Sequence, residues 1–367
     1  MIFVTGGAGF IGSNFVLAWC KRAGGPVAEP VLVVDSLNYA GNLENLGSVS
    51  NAGRFDAQVL FSRVDIRDLS GLQELVQKHM PRAILHFAAE SHVDRSIHGP
   101  TVFVETNVLG TMNLLQCARH VQDRIGDRFR FLHVSTDEVY GSLGDTDPAF
   151  CETTPYAPNS PYSASKAASD HLVRAWHHSF GLNTLTTNCS NNYGPFQFPE
   201  KLIPLLITRA IGGHTLPIYG DGLNVRDWLF VEDHCNAILS VLEKGRIGEV
   251  YNIGGDSERT NLQVVEAVCS ILDELLPKVA GSYRDQIEFV RDRPGHDRRY
   301  AINADKIRRD LGWQPRESFD TGLVKTIKWY LENGRWVERV QSGAYRAWLE
   351  TQYDDGASST RQATERL

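Results

Sequence analysis

A glycine triplet at the start of the chain limits most strongly what it can fold into. Gly6, Gly9 and Gly12 follow the apolar run Ile2–Thr5 and precede a helix predicted to end at about Arg22. A strand that turns on glycines into a helix gathers backbone amides and a partial positive charge at one point, and glycine lets a pyrophosphate approach the backbone closely. The spacing is GxxGxxG rather than GxGxxG, and such a trio also fits a glycine turn without ligand. Context narrows the choice. The next apolar run, Val31–Asp35, ends in an acid 23 positions after Gly12, where a carboxylate meets the hydroxyls of an adenosine ribose. That acid would also repel a 2′-phosphate, so the pattern points to NAD rather than NADP. Asp65-Ile66, at the end of the third predicted strand, is a candidate adenine contact.

Short apolar runs then alternate with longer helical ones. Strands are predicted at Gln58–Val64, Ala83–Phe87, Arg130–Ser135 and Asn183–Asn188, and helices at Leu69–His79, Thr101 to about Arg124, and Tyr162–Phe180. Such β-α-β alternation predicts an α/β fold, a Rossmann-type doubly wound parallel sheet with helices on both faces. After Asn188, loops rich in proline and glycine appear, such as Tyr193-Gly194-Pro195 and Tyr219-Gly220-Asp221-Gly222. A chain of 367 residues suits about two domains. We expect a dinucleotide domain over 1–188 with returns near 226–255, including a strand at Glu249–Ile253. A smaller C-terminal α/β substrate domain is expected over 189–353, and a polar, frayed tail over 354–367.

Composition excludes several classes. A net charge of -7 argues against nucleic-acid polymers and anionic membranes, which need a basic field. No apolar run approaches the ~20 residues of a membrane span. The N-terminal run has no basic segment before it and is broken by glycines, which predicts a cytoplasmic protein rather than a secreted one. The six cysteines (Cys20, Cys117, Cys151, Cys189, Cys235, Cys269) are scattered and are expected to be buried reduced thiols. His92 and His296 lack ligand spacing, so no metal is expected.

Two clusters carry chemistry. Tyr162 and Lys166 stand four apart on one helix face. A nearby ammonium favours the phenolate, so the tyrosine is expected below its usual pKa of about 10 and able to take a proton from a sugar hydroxyl as hydride leaves carbon. The fifth strand runs into Thr136-Asp137-Glu138, at the strand end where ligands of parallel sheets bind. Thr136 is placed to join the proton network of the reacting alcohol, and two adjacent carboxyls suit general acid and base work.

The glycine loop, Thr136 and Tyr162-xxx-Lys166 resemble the extended short-chain dehydrogenase/reductase family. Within it, Thr136-Asp137-Glu138, Ala88–Arg95, Asn188–Pro195, Phe198–Pro204, Arg226-Asp227-Trp228 and Arg293–Tyr300 resemble the dTDP-glucose 4,6-dehydratases. The resemblance implies C4 oxidation by Tyr162 and Lys166, removal of the C5 proton by Glu138, protonation of the leaving C6 hydroxyl by Asp137, and return of hydride to C6. It implies NAD contacts at Gly6, Gly9, Phe10, Ile11, Gly12, Asp35, Ser36, Leu37, Asn38, Asp65, Ile66, Phe87, Ala88, Ala89, Ser91, Thr106, Tyr162, Lys166 and Asn192. It implies nucleotide-sugar contacts at Ser91, Thr136, Asn191, Lys201, Leu202, Pro217, Ile218, Tyr219, Arg226, Asn261, Asp292, Arg293, His296 and Tyr353. A homodimer through the helices near Thr101–Arg124 and Tyr162–Phe180 is also implied. The alternatives are a nucleotide-sugar 4-epimerase, which needs no acid/base pair beside Thr136, and a dehydratase for a UDP-, CDP- or GDP-linked sugar.

Overall fold

The computed structural model describes residues 1–22, 29–51, 54–55, 58–292 and 296–343. Seven strands form its main sheet: β1 (Ile2–Thr5), β2 (Val31–Asp35), β3 (Val59–Arg63), β4 (Ala83–His86), β5 (Arg130–Thr136), β6 (Thr184–Cys189) and β7 (Val250–Ile253). Their spatial order is β7-β6-β5-β4-β1-β2-β3, and every neighbouring pair is parallel. Runs such as Val31-Leu32-Val33-Val34 are buried at every position, as a sheet covered on both faces requires. One face packs on the helices Phe10–Arg22 and Val231–Lys244 through Phe15, Val16, Ile238 and Val241. The other packs on Leu69–His79, Thr111–Ile125 and Pro161–Phe180 through Leu72, Val76, Leu114, Leu115 and Val173.

The winding reverses direction between β1 and β4, because β1 leads outward to β2 and β3 while β4 leads the other way. A crevice opens where that reversal occurs, beyond the strands' carboxyl ends. The last strand of the main sheet, β7, joins it beside β6, as expected for Glu249–Ile253. The chain beyond Asn191 builds a second core, with Tyr193, Ile207, Ile218, Trp228, Phe230, Val265 and Leu323 in it. Two small sheets support that core: Leu216–Tyr219 pairs with Ile287–Val290, and Val225–Phe230 pairs with Asn191–Tyr193 and Glu258–Thr260.

Two sequence expectations need correction. The helix predicted from Thr101 to Arg124 is not uniform. Pro100–Phe103 leads into a π-helical stretch, Val104–Gly110, before the α-helix Thr111–Ile125. Side chains occupy the local backbone there: Thr111 and Ser169 hydroxyls both donate to the Asn107 carbonyl, and the Asn107 side chain clasps the backbone of Glu90. Wider turns of this kind are frequent at functional sites, and this one carries Thr106. All six cysteines are free, but Cys20 and Cys151 are only half-buried. Hydrogen bonds from Thr153 and Thr154 hold the Cys151 thiol below its ordinary pKa. The predicted tail, 354–367, lies outside the described residues. Among the described residues, no helix is long and apolar enough to cross a membrane.

Candidate active site

The crevice is a cleft of about 340 Å3 that runs from the glycine loop to the ends of β5 and β6. Gly6 has a φ of +68°, and a Cβ there would lie 2.6 Å from the Ala88 nitrogen. At Gly12 a Cβ would lie 2.2 Å from the Gly6 carbonyl oxygen. The loop is therefore closed on itself so tightly that only glycine fits, and the amide of Gly9 donates to Gly6 O at 3.1 Å. Asp35 stands at the end of β2. Its carboxylate accepts from the amides of Ala8 (3.0 Å) and Leu37 (2.8 Å). Burial raises its pKa against those two bonds. A ligand-facing carboxylate that also pins the glycine loop and a cradle without side chains suit a dinucleotide.

Of the expected NAD contacts, all but Leu37 line this cleft. Leu37 has a φ of +55° and buries its side chain with Ala8 and Leu43, so only its backbone serves the site, as a donor to Asp35. Asp65 lines the cleft beside Ile66. Burial alone would raise its pKa, but Arg67, with Nη2 2.7 Å from Asp65 Oδ2, outweighs that and lowers it.

The chemistry-bearing side chains meet at the far end. Ser160 caps the helix Pro161–Phe180, which sets Tyr162 and Lys166 one turn apart on the cleft wall. The Lys166 ammonium donates to Val134 O at 2.9 Å. Burial pulls its pKa down to about 8, against the opposing pull of Asp170. Tyr162 departs from expectation. Burial, followed by the charges of Glu138 and Cys189, raises its pKa well above the usual value, while a hydrogen bond with Thr136 opposes. The reason is geometric: the lysine is turned onto a backbone carbonyl, and the other charged groups near the phenol are anionic.

Thr136 ends β5 and caps the turn Asp137–Tyr140, its Oγ accepting from Glu138 N at 3.3 Å. The same hydroxyl donates to Asp137 Oδ1 at 3.4 Å. Asp137 is 1% exposed, and its Oδ2 makes no hydrogen bond among the described residues. Burial, Glu138 and Asp227 push its carboxyl well above the usual range, only partly offset by Arg226. Glu138 lines the cleft, and its Oε2 accepts from Ser163 Oγ at 3.1 Å. The result is a buried carboxyl held well above the usual range next to a carboxyl that reaches the cleft.

The expected nucleotide-sugar residues fall into two groups. Ser91, Thr136, Asn191 and Lys201 line the same cleft, with Lys201 Nζ donating to Ser91 O at 3.0 Å. The second group gathers on the C-terminal core and does not line it. Arg226 donates to Val225 O and Asp297 O and lies over the Tyr300 ring. Asp292 pairs with His296 at 2.7 Å, and the His296 ring faces Tyr219. Asn261 opens the helix Asn261–Leu275, while Pro217 and Tyr219 share one short strand. Ile218 is buried in the core between them, so its side chain faces no ligand, while Leu202 is half-buried and packs against the same core. Arg293 and Tyr353 lie outside the described residues.

Proteins of known identity are similar to this chain over most of its length. The model of the GDP-mannose 4,6 dehydratase family matches residues 3–326. A dTDP-glucose 4,6-dehydratase of Xanthomonas campestris pv. campestris (strain B100) is 58% identical over 348 residues, covering 94% of this chain and 96% of that protein. One from Shigella flexneri is 54% identical over 365 residues, covering 96% and 99%. The chain belongs to the dTDP-glucose 4,6-dehydratase family. A Streptomyces venezuelae member solved with NAD bound superposes with a TM-score of 0.82 at 48% identity, covering 92% of this chain and 99% of that one. A UDP-glucose 4-epimerase of Thermotoga maritima superposes at 0.79 with 28% identity, covering 90% and 98%. Dehydratases and epimerases thus share one Rossmann scaffold, and the site rather than the fold separates their reactions.

Some residues of the site carry no motif of their own. Ser163 orients Glu138 and sits inside Tyr162-xxx-Lys166, where only the helix register reveals it. Asp170 tunes Lys166 from one further turn along the same helix. Tyr39, Glu90 and Glu200 line the cleft mouth, where the Arg95 guanidinium stacks 3.7 Å from the Tyr39 ring and bonds Glu200. Those three stretches are far apart in sequence, so no local pattern joins them.

Proposed function

We propose that this chain is an NAD-dependent hydro-lyase that converts dTDP-glucose to dTDP-4-keto-6-deoxyglucose and water. The carrying observation is the buried Asp137 beside the cleft-facing Glu138, at the strand end that carries Thr136 and faces Tyr162 and Lys166 across the cleft wall. The chemistry supplied by bound NAD is reversible acceptance of one hydride. Tyr162 takes the proton of the C4 hydroxyl, and Lys166 supplies positive charge behind it. Thr136 holds the C4 oxygen. The resulting ketone acidifies the C5 proton, which Glu138 removes as Ser163 keeps its carboxylate oriented. Asp137 delivers a proton to the C6 hydroxyl, which leaves as water. Two carboxyls with opposite protonation states suit this elimination. An epimerase has no step for them.

In this reading residues 1–188, with returns near 226–255, hold NAD, and residues 189–353 mainly hold the nucleotide sugar. The two separate cores support that division. Asn191 and Lys201 contact the sugar nucleotide from the shared cleft. Arg226, Asn261, Asp292, Arg293, His296 and Tyr353 belong to its nucleotide end. Exposed Val102, Val104, Leu109 and Phe180 on the helical face of the first core support a homodimer there. We place the reaction in the cytoplasm, supported by cysteines that form no disulfide.

Incubation with dTDP-glucose in heavy water, followed by NMR and mass spectrometry, tests the reading. A 4-keto-6-deoxy sugar with deuterium at C5 is expected. A C4-inverted sugar without loss of water would overturn it, and turnover confined to UDP-, CDP- or GDP-sugars would reassign the substrate. Light scattering at twice the chain mass is expected for the dimer, and a monomer would refute it.

A further inference from the structure

Three segments that are far apart in the chain meet at the mouth of the NAD cleft. In the main sheet β1 lies between β4 and β2, and the glycine loop leaves the carboxyl end of β1. Side chains that join the segment after β2 to the segment after β4 therefore bridge the crevice beyond that loop. Asn38, just past β2, donates from Nδ2 to Glu90 Oε1 at 2.9 Å. Arg95, on the short helix Val93–His98 that follows β4, lays its guanidinium over the Tyr39 ring, 3.7 Å from the centroid.

The second core closes on the same point. Arg95 Nη2 donates to Glu200 Oε2 at 3.1 Å, and the Phe198 ring meets the Tyr39 ring edge-on at 5.6 Å. One guanidinium thus joins both sides of the crevice and the second core. Tyr39 and Glu200 line the cleft, whereas Arg95 does not. The residue type fits the task, because a planar guanidinium can present its face to a ring and its edge to a carboxylate at once. The Arg95 side chain is 48% exposed and that of Glu200 19%, so each contact is weak alone and screened by salt. That suits a closure that must open when NAD is first loaded.

The proposed chemistry needs such a closure. Hydride taken from C4 must return to C6 of the same sugar, and loss of the reduced cofactor between the two steps would strand an oxidised sugar. Resting on the dehydratase reading, we propose that Arg95 is a cofactor-retaining clasp: it ties Tyr39 to Glu200 across the cleft mouth, and NAD leaves only after that tie opens. Arg95 acts through those two side chains, so it is a positioning residue and not a catalytic one.

Release of NAD from the loaded enzyme tests this without any sugar present. Holoenzyme is mixed with excess isotopically labelled NAD, and exchange is followed by mass spectrometry. Two contacts worth a few-fold each predict release about tenfold faster in Arg95→Met, with unfolding of the empty protein unchanged. Tyr39→Leu should speed release several-fold, and the double variant should release no more than about twice as fast as Arg95→Met, because its second change removes a contact already lost. Molar salt should speed release at least threefold more in wild type than in Arg95→Met. With dTDP-glucose present, Arg95→Met should lose activity over successive turnovers and regain it when NAD is added, while first-turnover oxidation in the loaded variant stays within about twofold of wild type. Release from Arg95→Met within twofold of the wild-type rate would overturn the clasp. So would single-variant effects that multiply in the double, since these mark two independent supports of the fold. Failure of wild-type enzyme to form the keto sugar would instead overturn the dehydratase assignment, and the exchange rates would still decide whether Arg95 retains NAD.

Discussion

Replacing Gly12 by alanine puts the cofactor loop to a quantitative test. The new Cβ would lie 2.2 Å from Gly6 O, 2.9 Å from Gly6 C and 2.9 Å from Gly7 Cα. All three are backbone atoms, so no side chain can rotate away. Overpacking of this kind costs ~1–3 kcal/mol, and a backbone obstacle in a closed loop belongs at the upper end. If the loop opens to relieve the contact, the amides aimed at the pyrophosphate are displaced. At about 1.4 kcal/mol per tenfold, a loss near ~3 kcal/mol weakens NAD binding by roughly 100-fold. Gly9→Ala is the control, because its Cβ would meet only Gly6 O, at 3.3 Å, and the empty fold should scarcely register it. The assay is NAD content per chain after gel filtration, calorimetric NAD titration of stripped protein, and thermal unfolding of both variants. Gly12→Ala is expected to emerge largely without NAD and to unfold at lower temperature. Gly9→Ala should unfold like the parent, so that any loss of NAD there reports the ligand's own approach. Full NAD content and unchanged unfolding in Gly12→Ala would refute the claim that loop closure needs glycine at this position.

Other perturbations address the chemistry and the core. Asp137→Asn and Glu138→Gln should slow elimination at least ~100-fold while sparing NAD reduction in single-turnover absorbance, and equal loss of both would contradict their roles. Ser163→Ala removes one hydrogen bond from Glu138 and should lower kcat roughly tenfold, the worth of one hydrogen bond to a charged group; an unchanged kcat would refute it. Lys166 is charged below its pKa of about 8 and neutral above it, so C4 oxidation should decline as pH rises through about 8, and Lys166→Met should lack that decline. Burial pushes His133 down to about 4 and His234 to about 3, so both are neutral in the fold near pH 6 but bind protons when unfolded below about 6.5. The unfolded state then holds more protons, and stability falls as pH falls through that window. At pH 5 each should cost about 2 kcal/mol relative to pH 7, measurable as a shift in urea midpoint, and equal midpoints at the two pH values would refute it.

How far the sequence carries depends on the range of the interaction involved. The seven strands were legible because buried parallel strands are continuous apolar runs, and Ala83–His86 or Thr184–Cys189 fall within a residue of their predicted ends. The cofactor half of the site was legible because a strand, a glycine turn, a helix and an acid are local and ordered in sequence. The π-helical stretch Val104–Gly110 was not, because Ser169, Glu90 and Asn107 impose it across long separations. The cleft mouth was hidden for the same reason, since Tyr39, Arg95 and Glu200 meet only in three dimensions. Ile218 and Leu202 show a different limit. Leu202 lies within a matching motif and Ile218 in a segment assigned by resemblance, yet Ile218 is buried in the second core and Leu202 packs against it, so resemblance marks a segment and not the direction of each side chain in it.

Tyr162 shows why residue type and spacing do not fix an electrostatic role. Four residues of helix place Lys166 on the same face, and spacing alone argues for a depressed tyrosine pKa. In the folded site the ammonium donates to Val134 O and is itself weakened by burial, whereas burial of the phenol, followed by the Glu138 charge, raises the tyrosine. Burial disfavours an anion at either group, and it raises both the Asp137 carboxyl and the Tyr162 phenol. That suits the acid and not the base. Setting the two to opposite protonation states requires positive charge near the phenol beyond Lys166, which a cationic nicotinamide ring bound there would supply.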